Sequence, residues 1–428
     1  MVYRIRLLVF VFCMAISTHV LAANTESAAV LDDLIATALE NNPDLKAAQL
    51  RFHVYENKII PAGSLNDPSL SFAFSNYPVD SFAGNEFPMS GKILKLSQAL
   101  PFPGKLAARQ ETAAQQARWY QGQYEDSKLQ LARQVKDAYY SFYYFSKAVT
   151  ITENNIRLLD DFTLLTEKNY EVGKSLQQDV LKAHMERSKL MDRLYSIKQQ
   201  RDTAEEELNR LLNTPSHISF SDLPDFEITH VDTPLEKLQQ SPETNRPIYA
   251  AYLALVKSYE SRKNLARLEY KPDFKMGVSY NFRESNFADD GTDFAGIEFS
   301  INLPLFRKKR EAAVAEASAG TSMALEQYND FRRRVLFNIN DAYNRLNRNR
   351  SQALLYKSGI IPQARQAFES ALTNYQVGKV GFLVLLDSLK TVYDYELEYY
   401  RVLSEGERNL ARLEAETGLN LNSSTENL

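Results

Sequence analysis

The chain has 428 residues, and its 54 acidic and 50 basic side chains leave a formal net charge of −4. That balance gives no support to nucleic-acid binding, and a single cysteine excludes a disulfide framework.

At the N-terminus Arg4 and Arg6 precede an apolar run from Leu7 to Ile16, and Val20-Leu21-Ala22 closes the segment. This order of charge, short apolar core and small residue predicts a secretory signal over residues 1–22, cut after Ala22. The run is too short to cross a bilayer as a helix. Cys13 lies inside it and follows Phe12 rather than a small residue, so no lipid anchor is expected and the mature chain holds no cysteine. A secreted chain without disulfides is held by packing or by assembly. After Ala22 no stretch has the length and apolarity of a membrane helix, which leaves a soluble protein or one that meets a membrane through β-strands.

A helical pattern of roughly 30 residues comes next, followed by two stretches with period-two alternation. In Ser69 to Tyr77, Leu70, Phe72 and Phe74 alternate with Ser71, Ala73 and Ser75; in Gly91 to Leu100, Leu94, Leu96 and Leu100 alternate with Lys95, Ser97 and Ala99. From Gly104 to Tyr170 there is no proline, and the one internal glycine, Gly122, is isolated. One helix of roughly 65 to 70 residues, about 100 Å long, is predicted. Leu131, Val135, Ala138, Phe142, Phe145, Val149, Ile156 and Leu159 follow the three-and-four spacing of a coiled-coil seam. The aromatic run Tyr139 to Phe145 is read as packing on that seam. Gly173 reads as a left-handed helix cap, and a returning helix of roughly 40 residues follows.

The same pattern then recurs, displaced by about 205 residues. Pro43 answers Pro247, Leu100-Pro101 answers Leu303-Pro304, Asp137-Ala138-Tyr139 answers Asp341-Ala342-Tyr343, and Tyr170 to Lys174 answers Tyr375 to Lys379. The second copy carries alternation from Phe274 to Phe282 and from Ala295 to Leu303, then a long helical pattern from Arg307 to Tyr375. Gly359 and Pro362 interrupt that helix, and a kink is expected there. The chain therefore divides into the signal, a first repeat over 23–222, a linker over 223–234, a second repeat over 235–419 and a polar tail over 420–428 that is expected to be disordered.

Short strands with one apolar face and one small or charged face carry the pattern of an outer-membrane barrel. Their open edges cannot stand in hydrocarbon, where an unpaired backbone group has no water to bond, so other copies must complete the barrel. Two copies would give about eight strands and a filled interior; three would give about twelve and leave a lumen. Lys95, Lys275 and Glu298 on the inner face favour three. In each repeat the two shorter helices, stacked end to end, match one long helix, so three chains would also supply about twelve helical columns and form a tube.

Catalytic patterns are missing. Val172-Gly173-Lys174-Ser175 looks like the end of a phosphate loop, but Lys168 stands where the first glycine is needed and the stretch is helical. No Gly-x-Ser-x-Gly, His-Glu-x-x-His or paired-cysteine spacing occurs. His53, His184, His217 and His230 are scattered, and His184-Met185 is read as exposed helix rather than a soft-metal site. Neither an enzyme, a cofactor nor a resident metal is expected.

Tyr170-Glu-Val-Gly-Lys with Asp179-Val180-Leu181, Tyr375-Gln-Val-Gly-Lys with Leu386-Asp387, and Leu96-Ser-Gln-Ala-Leu-Pro-Phe-Pro-Gly-Lys105 resemble the TolC family of outer-membrane efflux ducts over nearly the whole mature chain. The last motif resembles the heavy-metal efflux branch. The resemblance implies a membrane α+β protein of duplicated TolC-like fold in the outer membrane of a Gram-negative bacterium. It implies a homotrimer with a twelve-stranded β-barrel surrounded by outer-membrane lipid, and a helical barrel crossing the periplasm. The partners implied are a periplasmic adaptor and an inner-membrane RND-type pump, with metal ions or small toxic compounds as the conducted substrate. It further implies that Val172, Gly173, Lys174, Val377, Gly378 and Lys379 form adaptor-contacting tips. Asp179 and Asp387 fall at the periplasmic gate, with Val384 beside them and Val380 where some relatives place an arginine. Two other readings compete: the outer-membrane component of a type I protein secretion system, and a secreted coiled-coil scaffold without a channel.

Overall fold

The computed structural model describes residues 30–215, 217–220 and 223–421. The expected signal, and the expected tail beyond residue 421, lie outside them. In order, the elements are α1 (residues 30–41), α2 (Pro43–Glu56), α3 (Ile59–Gly63), β1 (Ser69–Ser75), β2 (Gly91–Leu100), α4 (Lys105–Glu171) and α5 (Gln177–Leu212). They continue with α6 (Leu235–Gln240), α7 (Pro242–Asn245), α8 (Pro247–Leu268), β3 (Phe274–Phe282), β4 (Phe294–Ile301) and α9 (Arg307–Leu355). A π-helical turn over Tyr356–Ile360, α10 (Ile361–Gln376) and α11 (Phe382–Thr417) complete the chain.

Helix α4 runs 67 residues without a break, about 100 Å. The returning helices α5 and α11, 36 residues each, are close to the roughly 40 expected, whereas two other helical expectations need correction. Each helix preceding a strand pair is broken into three pieces rather than forming one of about 30 residues. Asn42 stops α1 and caps α2: its Oδ1 accepts the N–H groups of Asp44 (3.0 Å) and Leu45 (3.2 Å), and Pro43, which has no N–H to offer, takes the first helical position. In the second repeat Pro242 and Pro247 impose the breaks in the same way. The interruption at Gly359 and Pro362 takes the form of a π turn, closed by Ile361 N donating to Tyr356 O. Pro362 cannot bond the carbonyl of Ser358 and its ring displaces that carbonyl, so the wider turn accommodates it. The strands lie within two residues of expectation: β1 ends at Ser75 and not Tyr77, and β4 begins at Phe294 and ends at Ile301, before Pro304.

Two compact units divide the chain, and neither is a repeat. One comprises residues 48–124 and 247–331 and holds the sheet. Its strands form an antiparallel meander β1-β2-β3-β4, so β1 and β4 each leave one edge unpaired. Cross-strand partners such as Leu70↔Leu96, Leu96↔Val278 and Val278↔Ile297 put like residues on one face. On that face Leu70, Phe72, Met276, Val278, Ile297 and Phe299 are exposed, Ile297 at 86%. An apolar sheet face of this kind in water would have to be covered, whereas in hydrocarbon it is already at home. On the opposite face lie Ser71, Lys95, Lys275, Gly277, Ser279 and Glu298. In the same unit α4 meets α8 so closely that a Cβ on Gly122 would stand 2.5 Å from that of Ala251.

The other unit comprises the described parts of residues 1–47, 125–246 and 332–428. Six of the eight expected seam positions are buried, namely Leu131, Val135, Ala138, Phe142, Val149 and Leu159, while Phe145 and Ile156 are half-buried. The buried stripe is wider than a two-position seam, because Tyr139, Tyr140, Tyr143, Thr152 and Thr166 join it. The aromatic run is thus packing, as its spacing suggested.

Candidate functional site at the hairpin tips

The reversals between α4 and α5 and between α10 and α11 share one local geometry. Gly173 has φ +73° and Gly378 has φ +75°. Gly173 N donates to Tyr170 O (2.9 Å) and Lys174 N to Asn169 O (2.8 Å); Gly378 N donates to Tyr375 O (3.0 Å) and Lys379 N to Asn374 O (2.8 Å). These paired bonds are the Schellman closure, which satisfies the last helical carbonyls and demands a left-handed residue that glycine adopts without strain. No atom lies within 4 Å of where a Cβ would stand on either glycine. Val172 and Val377 are about two-thirds exposed beside them. Both tips therefore present a backbone knuckle flanked by a valine and a lysine.

Beneath the tips Leu159, Phe162 and Ala183 pack with Ala371, Tyr375, Phe382, Leu385 and Leu389 into one cluster. Tyr375 is buried there, its hydroxyl 3.4 Å from Thr166 Oγ1, while its repeat mate Tyr170 is 47% exposed. The expected gate residues are not equivalent. Asp179 lies in the first turn of α5, where a carboxylate is favoured by the free N–H groups. Asp387 lies on α11 and lines a cleft of about 690 Å³ with Lys182, Glu186, Lys189, Arg193 and Lys390. Lys95 and Glu298 form an ion pair on the polar sheet face, the lysine stem lying over Gly277, whose missing side chain opens the path. Lys275 shares that face but pairs in register with Ala99 and Ser300. His184 has its Nε2 3.0 Å from Glu167 Oε1, and among the described residues no group of three metal-binding side chains converges.

Two repeats of one helix-strand-strand-helix pattern correspond to two matches with the outer membrane efflux protein family model, over residues 34–214 and 238–419. The chain belongs to the outer membrane efflux protein family. Its fold is TolC-like, its place is the outer membrane with a helical extension into the periplasm, and it is an efflux protein rather than an enzyme. It is similar to the cobalt-zinc-cadmium resistance protein CzcC of Cupriavidus metallidurans, 21% identical over 375 residues that cover 88% of this chain and 86% of that protein. It is also similar to the pyoverdine export outer membrane protein OpmQ of Pseudomonas putida, 24% identical over 411 residues covering 91% and 84%. In structure it resembles the outer membrane protein VceC of Vibrio cholerae, with a TM-score of 0.74 at 18% identity over 91% of this chain and 96% of that one.

Within this family setting one feature escaped the sequence reading. The linker, expected only to join the repeats, straps across the helices. Phe226 packs on Tyr140 and Tyr143, Asp225 accepts from Tyr143 Oη (2.8 Å) and pairs with Lys147 (2.8 Å), and Lys357 pairs with Glu227 (2.6 Å). Thr229 N donates to Glu407 Oε1 at 2.7 Å, and Ile228 fills the space that Gly406 leaves open. Glu407 is buried with no cation of its own, because Lys136 is engaged by Glu414. Burial pushes its carboxyl up to about 7 from an ordinary 4.5, against the Thr229 hydrogen bonds that favour the ionised form. Folded Glu407 thus holds its proton where the unfolded chain has released it. Stability it contributes is fully present below pH 4.5 and is lost as pH rises through about 7. At about 1.4 kcal/mol per pH unit the loss is on the order of 3 kcal/mol. Glu407→Gln, which keeps an acceptor for Thr229, is expected to flatten this dependence. Thermal melts of detergent-solubilised protein should show the variant more stable than the parent at pH 8 and the two alike near pH 4.5; parallel curves would refute the assignment.

Proposed function

We propose that three copies of this chain close one continuous duct, which passively conducts metal ions or small toxic compounds delivered by an inner-membrane RND-type pump and a periplasmic adaptor. The observation that carries the reading is the four-stranded sheet with an exposed apolar face and two unpaired edges. Such a sheet is unfinished in a membrane until β1 of one copy pairs with β4 of another. About twelve strands leave an aqueous lumen, toward which Lys95, Lys275 and Glu298 would face. The family supports the efflux role. The names of CzcC and OpmQ point to different cargoes, which suits a duct whose cargo is chosen by its pump.

In this reading the two knuckles, Val172 to Lys174 and Val377 to Lys379, contact the adaptor, and Asp179 and Asp387 belong to the gate. Three copies of Asp387 on a narrow axis would repel one another and attract cations, the more so in a low-dielectric neck. Purified protein in a planar bilayer is expected to form ohmic channels, with a larger conductance for Asp387→Ala. Absence of any channel would sink the duct, and an unchanged conductance in the variant would remove Asp387 from the gate.

A further inference from the structure

Where β4 leaves the sheet, residues 303–310 read Leu-Pro-Leu-Phe-Arg-Lys-Lys-Arg. Two successive three-residue turns, Leu305 N to Leu303 O and Arg307 N to Leu305 O, both 2.9 Å, fix the backbone, so the side chains are presented rather than loose. Leu303, Leu305 and Phe306 are 67%, 74% and 78% exposed. They extend the apolar face that Ile297, Phe299 and Ile301 show on β4.

Immediately beside this apolar ledge stand Arg307, Lys308 and Lys309, all exposed and in no ion pair among the described residues. Arg310 spends its guanidinium on the carbonyls of Glu269 and Phe306, which leaves its charge uncompensated too. The first-repeat elbow is different. There Lys105 is wholly buried and answered by Asp273 (2.9 Å) and Glu269 (3.3 Å), and Arg109 lies 3.9 Å from Glu269. One elbow is neutralised within the fold and the other is not. Nor does the helix explain the cations, since α9 has no acid in its first turn and positive charge at a helix start is disfavoured by the aligned peptide dipoles.

We propose that the β4–α9 elbow is a binding site for an anionic phospholipid of the inner leaflet, with the headgroup phosphate on Arg307, Lys308 and Lys309 and the acyl chains along Leu303, Leu305 and Phe306. Continuity decides the occupant. The ledge prolongs a sheet face that already meets lipid, and it lies at the end of β4 from which a helix departs into the periplasm. The leaflet at that level is phospholipid, whereas lipopolysaccharide fills the opposite one. Basic side chains at a bilayer surface attract anionic lipid about fivefold each, and neighbouring apolar side chains anchor in the acyl region. The site stands on the outer-membrane placement and is independent of the tip, gate and cargo readings.

Native mass spectrometry of the detergent-purified full chain, offered equal phosphatidylglycerol and phosphatidylethanolamine, reads the preference directly. The parent is expected to retain phosphatidylglycerol on the order of a hundredfold over phosphatidylethanolamine, and Lys308→Gln/Lys309→Gln should reduce that ratio by about 25-fold, to roughly fivefold. Phe306→Ser should lower retention of both lipids while keeping their ratio. Inorganic phosphate should not displace the lipid. If the double variant fails to fold, Arg307→Gln carries the same reading with a smaller drop, about fivefold. No preference in the parent, a preference that survives the substitutions, displacement by inorganic phosphate, or a stronger retention of lipopolysaccharide that the same substitutions abolish would each overturn the site.

Discussion

Arg246→Met is expected to destabilise the helical unit by about 3–5 kcal/mol. The Arg246 side chain is 5% exposed, and its Nε and Nη2 bond Asp126 Oδ1 (2.7 Å) and Oδ2 (3.2 Å) while Nη1 bonds Glu416 Oε2 (2.6 Å). Both carboxylates are themselves 14% exposed. The guanidinium therefore joins the first third of α4 to the end of α11 from the break before Pro247, and removing it leaves two largely buried anions facing one another. Asn338 Nδ2 still reaches Glu416 Oε1 (2.9 Å), but an amide cannot cancel the charge. The size of the effect comes from the stranded anions more than from the lost attraction. For that reason Arg246→Met combined with Asp126→Leu and Glu416→Leu should recover most of the loss. Guanidinium-induced loss of helical circular dichroism in detergent measures both, and a single-variant loss below about 1 kcal/mol would mean that water already screens the cluster.

What could be read from the sequence depended on how local its cause is. Alternation fixed the strands to within two residues because the side-chain period of a strand is a property of each residue and its neighbours. The length of α4 followed from an absence of breakers between Gly104 and Gly173, and absence is easily read. Breaks among α1 to α3 and α6 to α8 were marked by Pro43 and Pro247, which the reading matched between repeats without treating them as helix starts, and by Pro242, which it passed over. The π turn at Tyr356–Ile360 was foreseen only as an interruption, since Gly359 and Pro362 announce that a helix must yield but not how.

At the candidate site the same division holds. Gly173 and Gly378 were legible because a left-handed cap is a local demand. Tyr170 and Tyr375 were not separable, since they occupy one position of the repeat, yet Tyr375 is buried and Tyr170 is exposed. Their difference is imposed by neighbours distant in sequence. Lys95 and Glu298 were each placed on the polar face, but their pairing across Gly277 depends on strand order β2-β3-β4, which alternation does not reveal. The linker strap was missed for the same reason: Asp225, Phe226 and Glu227 are unremarkable as a string and acquire partners only from α4 and the π turn.

Gly173→Trp or Gly378→Trp is expected to abolish efflux while sparing folding and assembly. A left-handed backbone angle costs a residue with a side chain about 1–2 kcal/mol, and no atom lies within 4 Å of the new Cβ at either position. The substitution therefore adds backbone strain at a surface turn and no clash at its Cβ. The cluster around Tyr375 and Phe382 below the turns is untouched, so the hairpins should still pack. A partner that lies against the bare knuckle between Val172 and Lys174 would, however, be held off by the indole, because close approach to the backbone is what the missing side chain permits. Gly173→Ala separates the two causes: it carries the same strain with almost no bulk, and efflux should be largely retained. Survival of a deletion strain complemented with each variant, on metal salts and on dyes, reports efflux, while gel mobility of unheated samples reports assembly. Normal efflux by both tryptophan variants would remove the tips from the adaptor contact. Loss in the alanine variant equal to that in tryptophan would assign the defect to the turn conformation instead of the surface it presents.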